Sequence, residues 1–172
     1  MSVSQISCGL FLSGLDAALN RSLVSSRNIT LIVNASGQDV SYPHPDGVEV
    51  VPVPVPDRPH APLCGYFDPV AERIAGNRSG KTLVHCTAGR SRSPALVMAY
   101  LMRYEGVTLR QAYERVLEKR PYIRPNAGFW RQLMAYERTL LGRSSVRMAV
   151  TSCGVLPEAL DAEDAAAYCV NV

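Results

Sequence analysis

The sequence predicts an α/β fold, a mostly parallel central sheet flanked by helices, and three observations carry that prediction. Two short apolar, β-branched runs, residues 30–34 and 81–85, have the pattern of strands covered on both faces. The segments at 63–75, 95–104 and 128–141 instead place apolar residues at helical spacing. Strands and helices alternate along the chain, which is the order that builds a parallel sheet. At 172 residues, 47% apolar and 19% charged, the chain can bury one core, and its composition argues against disorder, collagen-like repeats and coiled coil.

Taken in order, residues 5–8 and 10–12 read as a hairpin or bent strand before Ser13-Gly14, and 16–23 as a short helix with Leu19 and Leu23 one turn apart. Residues 30–34 follow as a buried strand, and 39–47, with two prolines, as a surface loop. Residues 49–55 are strand-like, but Pro52, Pro54 and Pro56 restrict them to a short edge strand. In 63–75, Phe67, Val70 and Ile74 form one helical stripe; Gly80 then turns the chain into the strand 81–85. Pro94, at an early helical position, opens an apolar helix over 95–104. Thr108 and Gln111 make a capping box for a helix reaching Lys119. Phe129, Leu133, Tyr136 and Leu140 stripe a last helix over 128–141. Residues 144–172 show no clear period before an alanine-rich acidic stretch and read as a C-terminal tail on a domain of residues 1–143.

No apolar run approaches the roughly 18–20 residues that cross a bilayer, so a soluble protein with no membrane span is expected. Residues 1–10 lack the basic start of a secretory signal, and Ser2 excludes N-myristoylation. The five cysteines are odd in number and lack CxxC spacing, and only three histidines accompany them. Neither a disulfide framework nor a metal site is expected, and a reducing cytoplasm fits. Cys8 and Cys64 read as packing residues; Cys153 and Cys169 fall in the tail. After Ser145, one arginine against four acids leaves the tail at −3 and the first 145 residues at +6. Sixteen of the 18 basic residues are arginines, which favours geometric recognition of oxyanions. No basic cluster interleaved with aromatics stands out, and nucleic acid is not an expected partner.

The stretch that carries chemistry is Leu83-Val-His-Cys-Thr-Ala-Gly-Arg-Ser-Arg-Ser-Pro94. It sets a cysteine at the end of a buried strand, then a glycine-containing loop, then an arginine where a helix begins. Such a turn aims successive backbone N–H groups inward and adds the positive end of a helix dipole. That nest suits a phosphate dianion, and it suits a thiolate by stabilising the ionised sulfur. Arg92, six residues after Cys86, can hold two phosphate oxygens in a fork, and Gly89 supplies the permissive backbone.

This motif, His-Cys-x5-Arg-Ser/Thr, resembles the signature of the cysteine-dependent protein tyrosine phosphatases. Its longer form from His85 to Ser93 resembles the dual-specificity members, closest to the small atypical ones without a kinase-docking domain. Ala99-Tyr-Leu-Met102, Arg124-Pro-Asn-Ala-Gly-Phe-Trp-Arg-Gln-Leu133, Leu10-Phe-Leu-Ser-Gly14 and Val33-Asn-Ala-Ser36 extend the likeness over residues 5–142. The resemblance implies a nucleophilic Cys86 that forms a cysteinyl-phosphate, with Arg92 and the backbone amides of Thr87, Ala88, Gly89, Arg90 and Ser91 holding the phosphate. It implies a general-acid Asp after a strand about thirty residues before the Cys; Asp57, at the end of Val53-Pro-Val-Pro-Asp57, lies 29 before Cys86. Ser93 then steadies the departing sulfur, Asn126 braces the loop from outside, and His85 orders it without touching substrate. No metal or organic cofactor is required.

Simpler roles stand beside these. Asn126 and Ser93 could be helix caps, Asp68 a solvated helix residue, and Arg120 and Arg124 either solvated or ligands for a second phosphate. Arg90, where dual-specificity members often carry an apolar residue, either turns to solvent, pairs with an acid, or lines the pocket rim. The expected function is hydrolysis of phosphotyrosine and phosphoserine/phosphothreonine in phosphorylated proteins of the cytoplasm and nucleus, mitogen-activated protein kinases among the family-level substrates. The alternatives are a phosphatase for phosphoinositides or RNA 5′-phosphates, motivated by Arg90, and a pseudophosphatase that binds without turnover.

Overall fold

The computed structural model describes residues 2–43, 46–152 and 154–158. Five strands form its central sheet: β1 (Val3–Ser7), β2 (Leu10–Ser13), β3 (Ile29–Asn34), β4 (Glu49–Pro52) and β5 (Lys81–His85). Their order is β1-β2-β5-β3-β4. β1 and β2 are an antiparallel hairpin, whereas β2, β5, β3 and β4 run parallel to one another. The sheet is thus mostly parallel, and β5 lies at its centre, where both neighbours can serve whatever its C-terminal end presents.

Side-chain alternation sorts the sheet into two faces. Leu10, Leu12, Val33 and Val84 join the larger cluster, and Phe11, Ile32 and Leu83 the smaller. The larger face is covered by α3 (Phe67–Gly76), α4 (Arg92–Glu105), α5 (Leu109–Lys119) and α6 (Ala127–Leu141), and the smaller by α1 (Leu15–Ala18) and α2 (Arg21–Ser26). Trp130 of α6 meets Tyr113 of α5 edge-on with ring centroids 5.0 Å apart, a preferred aromatic geometry.

The capping box at Thr108 and Gln111 is formed as its sequence predicts. Other elements differ from expectation for local reasons. The single helix over 16–23 is two, because Asn20 Oδ1 accepts from the Leu23 N–H and restarts the chain as an N-cap. The helix over 63–75 begins as a 3-10 turn, Leu63–Tyr66. The edge strand ends at Pro52, after which Val53 N makes one further bond to Asn34 O. Cys8 and Cys64 are exposed, not packed: Cys8 lies in the β1–β2 turn and Cys64 in the 3-10 turn.

Residues 144–158 are not a featureless tail. β6 (Met148–Thr151) and β7 (Gly154–Pro157) pair as an antiparallel hairpin, and Val146 and Leu156 are buried. The junction is held by Glu137 of α6, fully buried, whose carboxylate accepts from Ser145 N (2.8 Å), Ser145 Oγ (2.6 Å) and Leu109 N (2.8 Å). Strands of four residues carry too short an alternation to read from sequence. Cys153, Cys169 and the acidic stretch lie outside the described residues.

Candidate active site

β5 ends at His85, α4 starts at Arg92, and the turn between them is built so that its carbonyls face outward. Leu15 N donates to Thr87 O (2.9 Å), Arg120 Nη2 to Ala88 O (3.3 Å), Arg120 Nε to Gly89 O (2.7 Å) and Arg124 N to Arg90 O (2.5 Å). Four successive carbonyls held from outside turn their peptide planes, and with them the intervening N–H groups, toward the inner side. Gly89 makes this possible at φ +69°; a Cβ there would also come within 2.7 Å of Ser13 C and 2.8 Å of Gly14 N.

Cys86 sits at the bottom of the loop, buried at the head of the 14-residue α4. Its Sγ receives the Gly89 N–H at 3.2 Å and lies 3.1 Å from Ser93 Oγ. The helix N-terminus and the inward N–H set partial positive charge against the sulfur. Arg92 is clamped from behind: Nη1 donates to Ser36 O (2.8 Å) and Val55 O (3.2 Å), and Nη2 to Thr87 Oγ1 (3.3 Å). Its Nε is buried and makes no hydrogen bond among the described residues. A buried donor on a fixed guanidinium beside a ring of N–H groups is suited to an incoming oxyanion.

Asp57 is fastened to the same loop. Its Oδ1 accepts from Ser91 Oγ (2.6 Å) and Asn126 Nδ2 (2.9 Å). Asn126 also caps α6 through Phe129 N (2.9 Å) and gives its own N–H to Ser91 Oγ (3.1 Å), so the cap and the bracing contact are one residue. Ser93 is inside α4, not its cap, and its hydroxyl is on the sulfur.

His85 is fully buried, and burial, the largest influence, holds its pKa below the ordinary value. Its Nδ1 lies 3.0 Å from Cys86 O, which can only accept, so Nδ1 carries the proton of a neutral ring. Nε2 then accepts from Tyr42 OH at 2.6 Å, and burial keeps that phenol well above its usual range. His85 thus meets the start of the loop through the Cys86 carbonyl.

Sequence reasoning missed Tyr42 and misjudged Arg120. Arg120 is not a solvated residue: it is 2% exposed beneath the loop and also reaches Ser4 Oγ at 3.2 Å. Desolvation by burial lowers its pKa. Arg90 is exposed, with no acid partner among the described residues; its guanidinium lies 5.7 Å from the centre of the Tyr122 ring, which Arg120 approaches at 4.7 Å. A cavity of about 480 Å³ lies beside the loop, lined by Gly37, Gln38, Tyr42, Val50 and Pro54 among others, but by none of residues 86–92.

A cysteine in a cradle of N–H groups, a forked arginine and a tethered carboxylate are the parts a phosphatase needs, and comparison with known proteins gives the lineage. Residues 10–139 match the family described as "Dual specificity phosphatase, catalytic domain". The chain belongs to the dual specificity phosphatase family. It is 47% identical over 163 residues to human dual specificity protein phosphatase 14, covering 94% of this chain and 82% of that one. It is 41% identical to human dual specificity protein phosphatase 18, covering 94% and 86%. Among solved structures, a mouse dual specificity phosphatase complexed with zinc tungstate superposes with a TM-score of 0.77 at 39% identity, over 81% of this chain and 89% of the other. Human DUSP28 gives 0.77 at 36% identity, over 80% and 94%. This dual specificity phosphatase fits the small atypical members, and it is a protein phosphatase, a hydrolase acting on phosphoproteins. No helix among its described residues is long and apolar enough to cross a membrane.

Proposed function

We propose that Cys86 is the nucleophile of this phosphatase, Asp57 its general acid, and the loop Thr87–Ala88–Gly89–Arg90–Ser91 with Arg92 its phosphate cradle. The thiolate attacks phosphorus, the P–O bond to the leaving group breaks, and protonated Asp57 delivers its proton to the departing oxygen. The loop N–H groups and Arg92 Nε hold the equatorial oxygens while charge redistributes. Water then attacks the cysteinyl-phosphate, Asp57 takes its proton, and the S–P bond breaks with the Ser93 O–H donating to the sulfur. The scheme asks for no metal or organic cofactor. The observation that carries it is the meeting of an inward N–H and a hydroxyl on the Cys86 sulfur, at the head of a helix whose first residue, Arg92, keeps a buried Nε donor without a partner among the described residues. Tungstate, which accompanies the mouse relative, is a tetrahedral oxyanion of the shape such a cradle accepts.

All of these side chains lie within residues 1–143, which we take as the catalytic unit, with 144–172 as an appendage to it. Phosphotyrosine and phosphoserine/phosphothreonine in cytoplasmic or nuclear proteins, mitogen-activated protein kinases included, are the substrates this reading favours. The family match weighs against phosphoinositides and RNA 5′-phosphates, and the intact Cys86, Arg92 and Asp57 weigh against a pseudophosphatase. The test is turnover of an aryl phosphate and of matched phosphotyrosine and phosphothreonine peptides, with Cys86→Ser as control, followed by capture of substrates from lysate on Cys86→Ser. Activity persisting in purified Cys86→Ser would overturn the mechanism.

A further inference from the structure

We propose that Ser91 is a positioning residue for the acid: its hydroxyl, together with the Asn126 amide, occupies Asp57 Oδ1 and leaves Oδ2 as the oxygen that carries the transferable proton. The inference rests on the reading of Asp57 as the acid.

The direction of each hydrogen bond is fixed by its neighbours. A backbone N–H can only donate, so Ser91 Oγ accepts from Asn126 N, and its own proton is directed to Asp57 Oδ1 at 2.6 Å. The Phe129 N–H, donating to Asn126 Oδ1, settles which end of that amide faces outward and puts Nδ2 at 2.9 Å from the same Asp57 oxygen. An oxygen that already receives two donors has no room for a proton of its own. A proton on Asp57 therefore sits on Oδ2.

Asp57 is exposed, and without this arrangement its two oxygens would be interchangeable by rotation of the carboxyl group. Half of the protonated population would then offer the leaving group an acceptor where a donor is needed. Ser91 removes that ambiguity from within the loop that holds the phosphate, so the acid and the cradle share one reference point. The rest of the acid's segment is anchored independently of Ser91. Gly128 of α6 packs directly under Pro59, whose carbonyl a Cβ would overlap. Gln132 accepts from Cys64 N and donates to Ala61 O, both at 2.8 Å. Removing the Ser91 hydroxyl should therefore leave the loop in place and change which oxygen is protonated.

The experiment is a series of aryl phosphates whose phenols rise in basicity, measured on wild type, Ser91→Ala, Ser91→Thr, Asp57→Asn and the Ser91→Ala/Asp57→Asn double variant. Wherever the proton matters, Ser91→Ala should lower kcat/KM: about tenfold for the most basic phenol, the scale of one hydrogen bond to a charged group, and less than about twofold for the most acidic. Inhibition by inorganic phosphate should be unchanged, Ser91→Thr should restore the wild-type slope, and the double variant should lose no more than Asp57→Asn alone. A loss equal across the series, a parallel weakening of phosphate inhibition, or full additivity in the double variant would make Ser91 only a structural part of the loop and overturn the proposal. So would no loss at all. If Asp57→Asn itself shows no dependence on the leaving group, the acid assignment has failed and the inference falls with it, a result distinct from the others because it appears in the single Asp57 variant.

Discussion

Replacing Arg120 with methionine removes the support beneath the phosphate loop while keeping a long apolar side chain in its place. Arg120 spans Gly89 O, Ala88 O and the hydroxyls of Ser2 and Ser4, with its guanidinium against the Tyr122 ring. Each carbonyl left without a donor costs about 1–3 kcal/mol, and the lost ring contact about 1 kcal/mol. Release from desolvating a guanidinium offsets part of this, so a net loss of about 3 kcal/mol is expected. For a chain of this size that lowers Tm by roughly 6–12 °C. The functional loss should be larger than stability alone dictates. Freed carbonyls let the Ala88 and Gly89 peptide planes rotate, and one misdirected N–H at a developing oxyanion costs about 10²–10³ in kcat. Urea unfolding followed by the single tryptophan, the buried Trp130, measures the first effect. Steady-state kinetics with phosphate as inhibitor measures the second, below the melting range of the variant. Arg120→Lys keeps a charge without the fork and should recover stability in part while leaving kcat/KM low. An Arg120→Met protein within twofold of wild type in kcat/KM and in phosphate inhibition would refute the idea that outward-held carbonyls aim the loop.

Gly89→Ala should cost at least about 2 kcal/mol and most activity, since the new Cβ meets the Ser13–Gly14 backbone at a positive φ; differential scanning calorimetry and turnover report the two losses. His85 gives the stability a pH dependence of known sign. Below its ordinary value of 6.5 the unfolded chain takes up a proton that the buried ring refuses, so stability is full above pH 6.5 and falls as pH drops toward the lower folded value. Urea midpoints at pH 7.5 and 5.5 should separate less in His85→Gln than in wild type. Arg90→Val should raise KM for acidic phosphopeptides and spare kcat on a small neutral aryl phosphate, because Arg90 stands exposed at the loop's rim over Tyr122. Added salt should narrow that gap, exposed charges being screened over about 8–10 Å; equal KM values for acidic and neutral peptides would remove Arg90 from recognition.

The parts legible in the sequence are those whose meaning is contained in a contiguous stretch. The strand at 30–34 announces its burial by composition, and the loop from His85 to Ser93 carries cysteine, glycine and arginine within one turn. Asp57 is singled out only through the family resemblance, which implies an acid after a strand about thirty residues before the cysteine. Arg120 is not recoverable in this way. The chain shows a charge beside Pro121, but the outward carbonyls that receive it lie some thirty residues earlier and exist only once the loop has folded. Tyr42 faces the same barrier, since nothing around it signals that the buried imidazole of His85 needs a donor at Nε2. The Ser36 and Val55 carbonyls that clamp Arg92 are backbone atoms, and residue identity says nothing about where they point.

Glu137 gives the catalytic unit and the folding unit different lengths. A protein cut after Gly142 would retain every side chain assigned to chemistry. It would also strip the carboxylate of both its Ser145 partners, leaving only the Leu109 N–H inside a region that Val146 no longer seals. Losing those partners and the Val146 cover destabilises the junction of α5 and α6, the helix whose N-cap is Asn126. Residues 144–158 thus act as a stopper for the helical layer: removed, they would loosen, from the far end of α6, the helix whose cap residue Asn126 holds Asp57.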